Sequence, residues 1–127
     1  MEKKVNKKIL IVEDDPDYRE IIQTGFSSEP LFTIVLAKDG EEGFEVAVKE
    51  KPDLIVMDVL MPKIDGVEAA KKIREQGIAS PIIFLTNVSD PGGIDRAFSV
   101  LNSRYIVKAS MHVGEVVKAA KDLLAVS

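Results

Sequence analysis

Cysteine is absent from this 127-residue chain. That excludes disulfides, thiol catalysis and thiolate zinc sites. Histidine occurs once, as His112, past the last of the strand-like runs, so no serine–histidine arrangement is expected. No apolar run approaches the roughly 20 residues that a membrane-spanning helix requires. Met1 is followed by Glu2, Lys3 and Lys4 with no apolar export core behind them. Positive charge is also in short supply. Lys and Arg number 17 against 21 Asp and Glu, a net charge of -4. An acidic chain is a poor direct partner for nucleic acid or an anionic membrane. These absences make a cytoplasmic protein the expectation, without a membrane or direct nucleic-acid partner.

What is present suits one ordinary domain over residues 1–127. Hydrophobic residues make up 46% and charged residues 30%, a composition that folds. Two textures alternate along it. Short branched apolar runs are Ile9–Val12, Thr33–Ala37, Leu54–Met57, Ile82–Leu85 and Tyr105–Val107. Three of them are apolar almost throughout, as parallel strands buried on both faces are. Between them lie amphipathic segments with helix-start signals at Asp15-Pro16, Asp39-Gly40, Asp65-Gly66 and Asp90-Pro91. The last segment carries Val113, Val116, Val117, Ala120, Leu123 and Leu124, an i, i+3, i+4 stripe. A βα unit repeated five times implies a parallel sheet with helices on both faces and right-handed crossovers. The expected fold is a flavodoxin-like, doubly wound α/β sheet of order 2-1-3-4-5. Its site lies beyond the carboxyl ends of the strands, where strands 1 and 3 meet.

The first run ends abruptly in Glu13, Asp14 and Asp15, and the third ends in Asp58. In this order the four acids meet at one sheet edge. Crowded carboxylates raise one another's pKa unless a cation neutralises them. Hard oxygen donors with few other ligands suit Mg2+. The fourth run ends in Thr86 and the fifth in Lys108. A metal, a cation, a hydroxyl and a carboxylate are the parts needed for phosphoryl transfer, with a carboxylate as the nucleophile. Gly92-Gly93 lacks the lysine and spacing of a phosphate-binding loop.

Four stretches make this specific: I-L-I-V-E-D-D, L-I-V-M-D-V-L-M-P-K-I-D-G, I-I-F-L-T and Y-I-V-K. Through them the chain resembles, end to end, a response regulator receiver domain of two-component signalling. The resemblance implies that Asp58 accepts a phosphoryl group. It implies Asp14 as a direct Mg2+ ligand, Glu13 acting through water, and the backbone carbonyl of Leu60 as a further ligand. Thr86 and Lys108 fall on the pair that binds the phosphoryl oxygens, and Tyr105 on the aromatic switch. Residue types alone leave the acid pair open between Glu13–Asp14 and Asp14–Asp15. The resemblance favours the first and leaves Asp15 as a helix cap.

The implied donor is a phosphohistidine on a histidine kinase or a histidine phosphotransfer protein. The protein would catalyse its own phosphorylation and dephosphorylation as a switch rather than as a classical enzyme. A downstream protein would read the surface formed by the fourth helix, fifth strand and fifth helix, including Arg96, Val100, Arg104, Tyr105 and His112. The expected assembly is a monomer or a phosphorylation-dependent dimer, either stand-alone or cut from a longer protein. Two rivals are a haloacid-type phosphatase, which needs a second Asp where Leu60 stands, and a phosphorylation-independent binding module.

Four departures from the family pattern stand out. Ala109 replaces the usual proline after Lys108, and a cis peptide there costs roughly 3 kcal/mol. Asn87 follows Thr86, where a smaller residue is usual. Leu60 and Val88 are apolar and cannot orient an attacking water, so a long-lived phosphorylated state is expected. Asn102 stands where a glycine often ends the fourth helix, and asparagine tolerates the left-handed conformation. Lys3, Lys4, Lys7 and Lys8 read as a solvated N-terminal flank.

Overall fold

The computed structural model describes residues 6–86, 99–108 and 112–126. Five parallel strands, β1 (Lys7–Val12), β2 (Phe32–Ala37), β3 (Leu54–Asp58), β4 (Ile82–Thr86) and β5 (Ser103–Val107), form one sheet of order β2-β1-β3-β4-β5. Among the described residues the helices are α1 (Pro16–Ser27), α2 (Gly40–Glu50), α3 (Gly66–Glu75) and α4 (Val113–Leu124). The helix expected after Asp90-Pro91 lies outside the described residues. None of the described helices is long and apolar enough to cross a membrane.

The central strands β3 and β4 are buried along their whole length, whereas the edge strands β2 and β5 are partly exposed. This matches their composition, because an interior parallel strand has helices over both faces. Alternate residues feed two cores. Leu10, Val12, Ile55, Met57, Ile82 and Phe84 pack with Ala47 of α2 and with Val67, Ala70 and Ile73 of α3. Ile9, Ile11, Leu54, Val56, Ile83 and Leu85 pack with Ile22 and Phe26 of α1 and with Val116, Val117 and Ala120 of α4. The period of two along each strand places consecutive residues on opposite faces.

Three helices start where an aspartate caps them. Asp15 Oδ1 accepts from the N–H of Asp17, Asp39 Oδ1 from Glu42 and Asp65 Oδ1 from Glu68, at 2.8–2.9 Å. Pro16 then opens α1 with its ring already at a helical φ. Asn102 takes a left-handed φ of 56°, and its Nδ2 donates to the Ala79 carbonyl at 2.9 Å.

Two expectations are corrected. Lys7 and Lys8 belong to β1, not to a flank: Lys7 is in register with Phe32. The Lys8 N–H donates to Asp53 Oδ2 at 2.7 Å, and its ammonium pairs with Glu50 at 2.9 Å. The acidic partners Glu50 and Asp53 let Lys8 sit in the strand at the sheet's rim. Lys3 and Lys4 lie outside the described residues. Val100 is not a surface residue. It is only 6% exposed and packs into the core shared with α3.

Candidate functional site

Parallel pairing aligns the strand ends. Val12 is in register with Met57, Asp58 with Leu85 and Thr86 with Val107. The strands therefore end along one edge of the sheet. Glu13 is 0% exposed, Asp58 7% and Thr86 1%. Lys108 follows β5 directly.

Lys108 Nζ lies 2.9 Å from Asp58 Oδ2, to which it donates, and 2.7 Å from Glu13 Oε1. The same ammonium thus forms ion pairs with both acids. The second Glu13 oxygen, Oε2, accepts from the N–H of Asp15 at 3.1 Å. Arg19 Nη1 donates to the Glu13 carbonyl at 2.8 Å, tying this turn to α1. The Leu60 N–H reaches Asp58 Oδ1 at 3.3 Å.

Burial is the largest influence on Glu13. It drives the carboxyl pKa up to about 7, with Lys108 opposing and the nearby Asp58 adding to the rise. Burial also works against the Lys108 ammonium, but Glu13 and Asp58 outweigh it and raise its pKa. One lysine thus holds two buried acids that repel each other.

Oxygens of Glu13, Asp14 and Asp58 lie within 4.8 Å of one another, close enough for one shared ion. Asp14 is exposed and the other two are buried, so the cluster opens to solvent on one side only. The donors are all hard oxygens, and Glu13 is a buried acid whose charge is only partly offset. Both features fit Mg2+, which binds carboxylates while keeping several waters. Asp15, by contrast, spends its side chain on the α1 cap.

Thr86 Oγ1 is buried and has no hydrogen-bond partner among the described residues. A buried hydroxyl without a partner costs about 1–3 kcal/mol and calls for an explanation. Its position at the end of β4 leaves it available to an arriving acceptor.

The loop after Asp58 is held from two sides. At Gly66 a Cβ would collide with the Asp58 carbonyl oxygen, so only glycine lets α3 begin this close to the acid. At Gly40 a Cβ would meet the Ile64 carbonyl oxygen. Lys63, at a φ of 71°, pairs with Asp39 at 3.5 Å across the same seam. The hydrogen bond from the Glu42 N–H is the largest of the influences that hold the Asp39 carboxyl below its usual range. Lys63 adds to it, and burial opposes both.

Of the residues singled out from sequence, Glu13, Asp14, Asp58 and Lys108 come together, with Thr86 ending the strand beside β3. Tyr105 stands on β5 and is 37% exposed, and Arg104 and His112 are exposed as well. His112 precedes α4 without a side-chain cap bond. Asn87, Val88, Arg96, Ala109 and the Lys108–Ala109 peptide lie outside the described residues. Two residues at the site were not anticipated, Arg19 and Tyr18. The Tyr18 ring lies under the Lys108 ammonium, 4.1 Å from Nζ to the ring centroid. The available signal was Tyr18's place in the first turn of α1, since helical side chains lean toward the helix start.

Comparison with known proteins agrees with this geometry. The family model described as the response regulator receiver domain matches residues 9–121. The alkaline phosphatase synthesis transcriptional regulatory protein PhoP of Bacillus subtilis is 43% identical over 82 residues, which cover 65% of this chain and 34% of that protein. A protein-glutamate methylesterase/protein-glutamine glutaminase of Syntrophus aciditrophicus is 37% identical over 97 residues, covering 76% of this chain and 27% of its own length. The chain therefore spans about a third or less of these curated relatives. Among solved structures, the Vibrio cholerae chemotaxis protein CheY4 superposes with a TM-score of 0.83 at 26% identity, covering 93% of this chain and 98% of its own.

Proposed function

This chain belongs to the response regulator receiver domains of two-component systems, and from that premise we propose that Asp58 is its phosphoacceptor in a Mg2+-dependent switch. The observation that carries the reading is the 2.9 Å contact of Lys108 with Asp58 inside a cluster of three acids. Asp14, Asp58 and the Leu60 carbonyl would hold Mg2+, with Glu13 acting through water. When bound, Mg2+ supplies charge neutralisation for the incoming phosphoryl oxygens.

One Asp58 carboxylate oxygen attacks the phosphorus of a phosphohistidine. The phosphorus–nitrogen bond breaks, and its electron pair leaves on the imidazole nitrogen, which takes up a proton. The product is an acyl phosphate on Asp58. Lys108 turns its ammonium from the bare carboxylate to the phosphoryl oxygens. The Thr86 hydroxyl, buried without a described partner, donates to the same group. The chain thus catalyses its own phosphorylation. Movement of Thr86 toward the phosphoryl group frees space into which Tyr105, now part-exposed, turns. The surface around β5 and α4 then shifts population toward an active form.

A histidine kinase or histidine phosphotransfer protein supplies the phosphoryl group, and a downstream protein reads the surface that carries Arg104 and His112. The setting is cytoplasmic, residues 1–127 act as one receiver unit, and the protein is a monomer or dimerises on phosphorylation. Leu60, about half exposed beside the acid, offers no group to orient an attacking water. The phosphorylated state should therefore persist well beyond seconds in buffered Mg2+, and decay within seconds would refute this part of the reading.

The test of the whole reading is intact-protein mass after incubation with acetyl phosphate, with and without Mg2+. One added phosphoryl group is expected, dependent on Mg2+ and absent from Asp58→Asn. A folded protein that takes no phosphoryl group from several small donors would overturn the switch and favour a phosphorylation-independent binding module.

A further inference from the structure

Lys108 supplies the positive charge that the proposed transfer needs, and its ammonium has three described neighbours. Two are the carboxylates of Glu13 and Asp58. The third is the Tyr18 ring, 4.1 Å away. A cation over an aromatic face is attracted by the ring's negative quadrupole, more strongly where water is excluded. Lys108 is well shielded here, its side chain only 15% exposed.

The three neighbours differ in what the reaction does to them. Phosphorylation converts the Asp58 carboxylate to an acyl phosphate, and a cation bound to the acid cluster competes with Lys108 for Glu13 and Asp58. The ring keeps the same charge distribution before and after. A lysine side chain carries about 2 kcal/mol of rotamer entropy, so a constant partner limits where the ammonium goes when its carboxylates are engaged elsewhere. Tyr18 is itself held on α1, one residue before Arg19, whose guanidinium is fixed on the Glu13 carbonyl. The first turn of α1 thus carries both the ring and a hydrogen bond to the acid turn.

We propose that Tyr18 is a positioning residue for phosphoryl transfer: the face of its ring holds the Lys108 ammonium beside Asp58. The ring is the working part and the hydroxyl is not. This role rests on the reading of Asp58 and Lys108 given above.

The experiment compares the full chain with Tyr18→Phe, Tyr18→Leu and Tyr18→Met. Two quantities are read on each: the rate of Mg2+-dependent phosphorylation by acetyl phosphate, and the chemical shift of the Lys108 ε-methylene protons in the metal-free, unphosphorylated protein. A small donor is used so that recognition of a protein donor plays no part. Thermal melts establish that each variant is folded. Met fills space flexibly, so it carries the comparison if Leu does not fold.

Tyr18→Phe should keep the wild-type rate within about twofold, while Leu and Met should slow it roughly fivefold, the worth of one partly shielded cation–ring contact. The ε-methylene protons should be ring-shifted upfield in wild type and Phe and lose that shift in Leu and Met. Folded Leu or Met variants with the wild-type rate would overturn the proposal. So would a Phe variant as slow as Leu, which would assign the effect to the hydroxyl, or a wild type without the ring shift. A wild type that takes no phosphoryl group overturns the Asp58 reading and this role together. That failure is recognisable because every variant shares it, whereas failure of the Tyr18 role alone leaves wild type active.

Discussion

At the amino end of the sheet, charges and carbonyls find partners. Lys8 pairs with Glu50, the Lys8 N–H with Asp53, and the Ser80 hydroxyl donates to the Pro52 carbonyl. Arg74 spreads its guanidinium over the carbonyls of Ile78, Leu101 and Asn102 at 2.8–3.3 Å. At the carboxyl end, Glu13, Asp14 and Asp58 crowd together with one lysine between the two buried acids, and the Thr86 hydroxyl has no described partner. Both ends terminate the same five strands and draw on the same two cores. The first arrangement lowers the energy of the chain as it stands. The second leaves groups under-satisfied until something arrives, which is how a site keeps binding energy in reserve.

That contrast can be broken experimentally, most strongly with the metal. A ligand that binds only the folded chain stabilises it by about 2.7 kcal/mol at a hundredfold excess over its Kd. Mg2+ at that excess should raise the unfolding free energy of the wild type by about 2.7 kcal/mol, read as a higher urea midpoint at unchanged slope, and a chelator should reverse it. Asp14→Ala should abolish the Mg2+ effect while leaving the metal-free protein folded, because Asp14 is exposed. An unchanged Mg2+ effect in that variant would remove Asp14 from the site.

Arg74→Ala probes the opposite end. It deprives three backbone carbonyls of a charged donor, and hydrogen bonds to charged groups are each worth about 1.5–3 kcal/mol. Because part of this guanidinium is exposed, a loss of about 2 kcal/mol is expected. The loss should be equal with and without Mg2+, and phosphorylation by acetyl phosphate should keep its rate. A variant that loses rate rather than stability would dissolve the division between the two ends.

The smallest expected effect sharpens the comparison at the seam between α2 and the loop after β3. Asp39→Ala removes the α2 cap and should cost about 1 kcal/mol. Asp39→Asn keeps a good cap but loses the charge facing Lys63, with Lys38 nearby. Because the folded carboxyl sits below its usual value of 3.8, its charge contributes stability that is complete above that value. The contribution fades as pH falls through the lower folded value. Wild type should thus exceed Asp39→Asn slightly at pH 6 and converge with it as acidification carries the pH down through the lowered value. Parallel unfolding curves at all pH values would show that the charge contributes nothing.

Much of this was legible in advance. Ile55–Met57 and Ile82–Leu85 are branched or bulky apolar residues without alternation, and only a strand covered on both faces tolerates that. Asp15, Asp39 and Asp65 stand before their helices because a short carboxylate can close on a free N–H two or three residues ahead. Glu13, Asp14, Asp58, Thr86 and Lys108 could be grouped because parallel strands end together. Lys7 and Lys8 were misread because nothing in a lysine pair announces that Phe32 and Glu50 will meet it. Val100 was misread because, beside a segment expected to be helical and exposed, its burial depends on where α3 packs.

Sequence by itself determined the order of elements, the apolar registers that bury three strands, and the chemical kinds of group that leave the strand ends. These follow from local period, capping and composition, which need no distant partner. Tertiary structure alone decided how those groups share charge. Glu13 is driven toward neutrality by burial while Lys108 draws it back, and the Tyr18 ring comes under that lysine across 90 positions of chain, counted from 18 to 108. Such contacts depend on angles and distances set when α1 closes over the sheet, and no local pattern of residues encodes them.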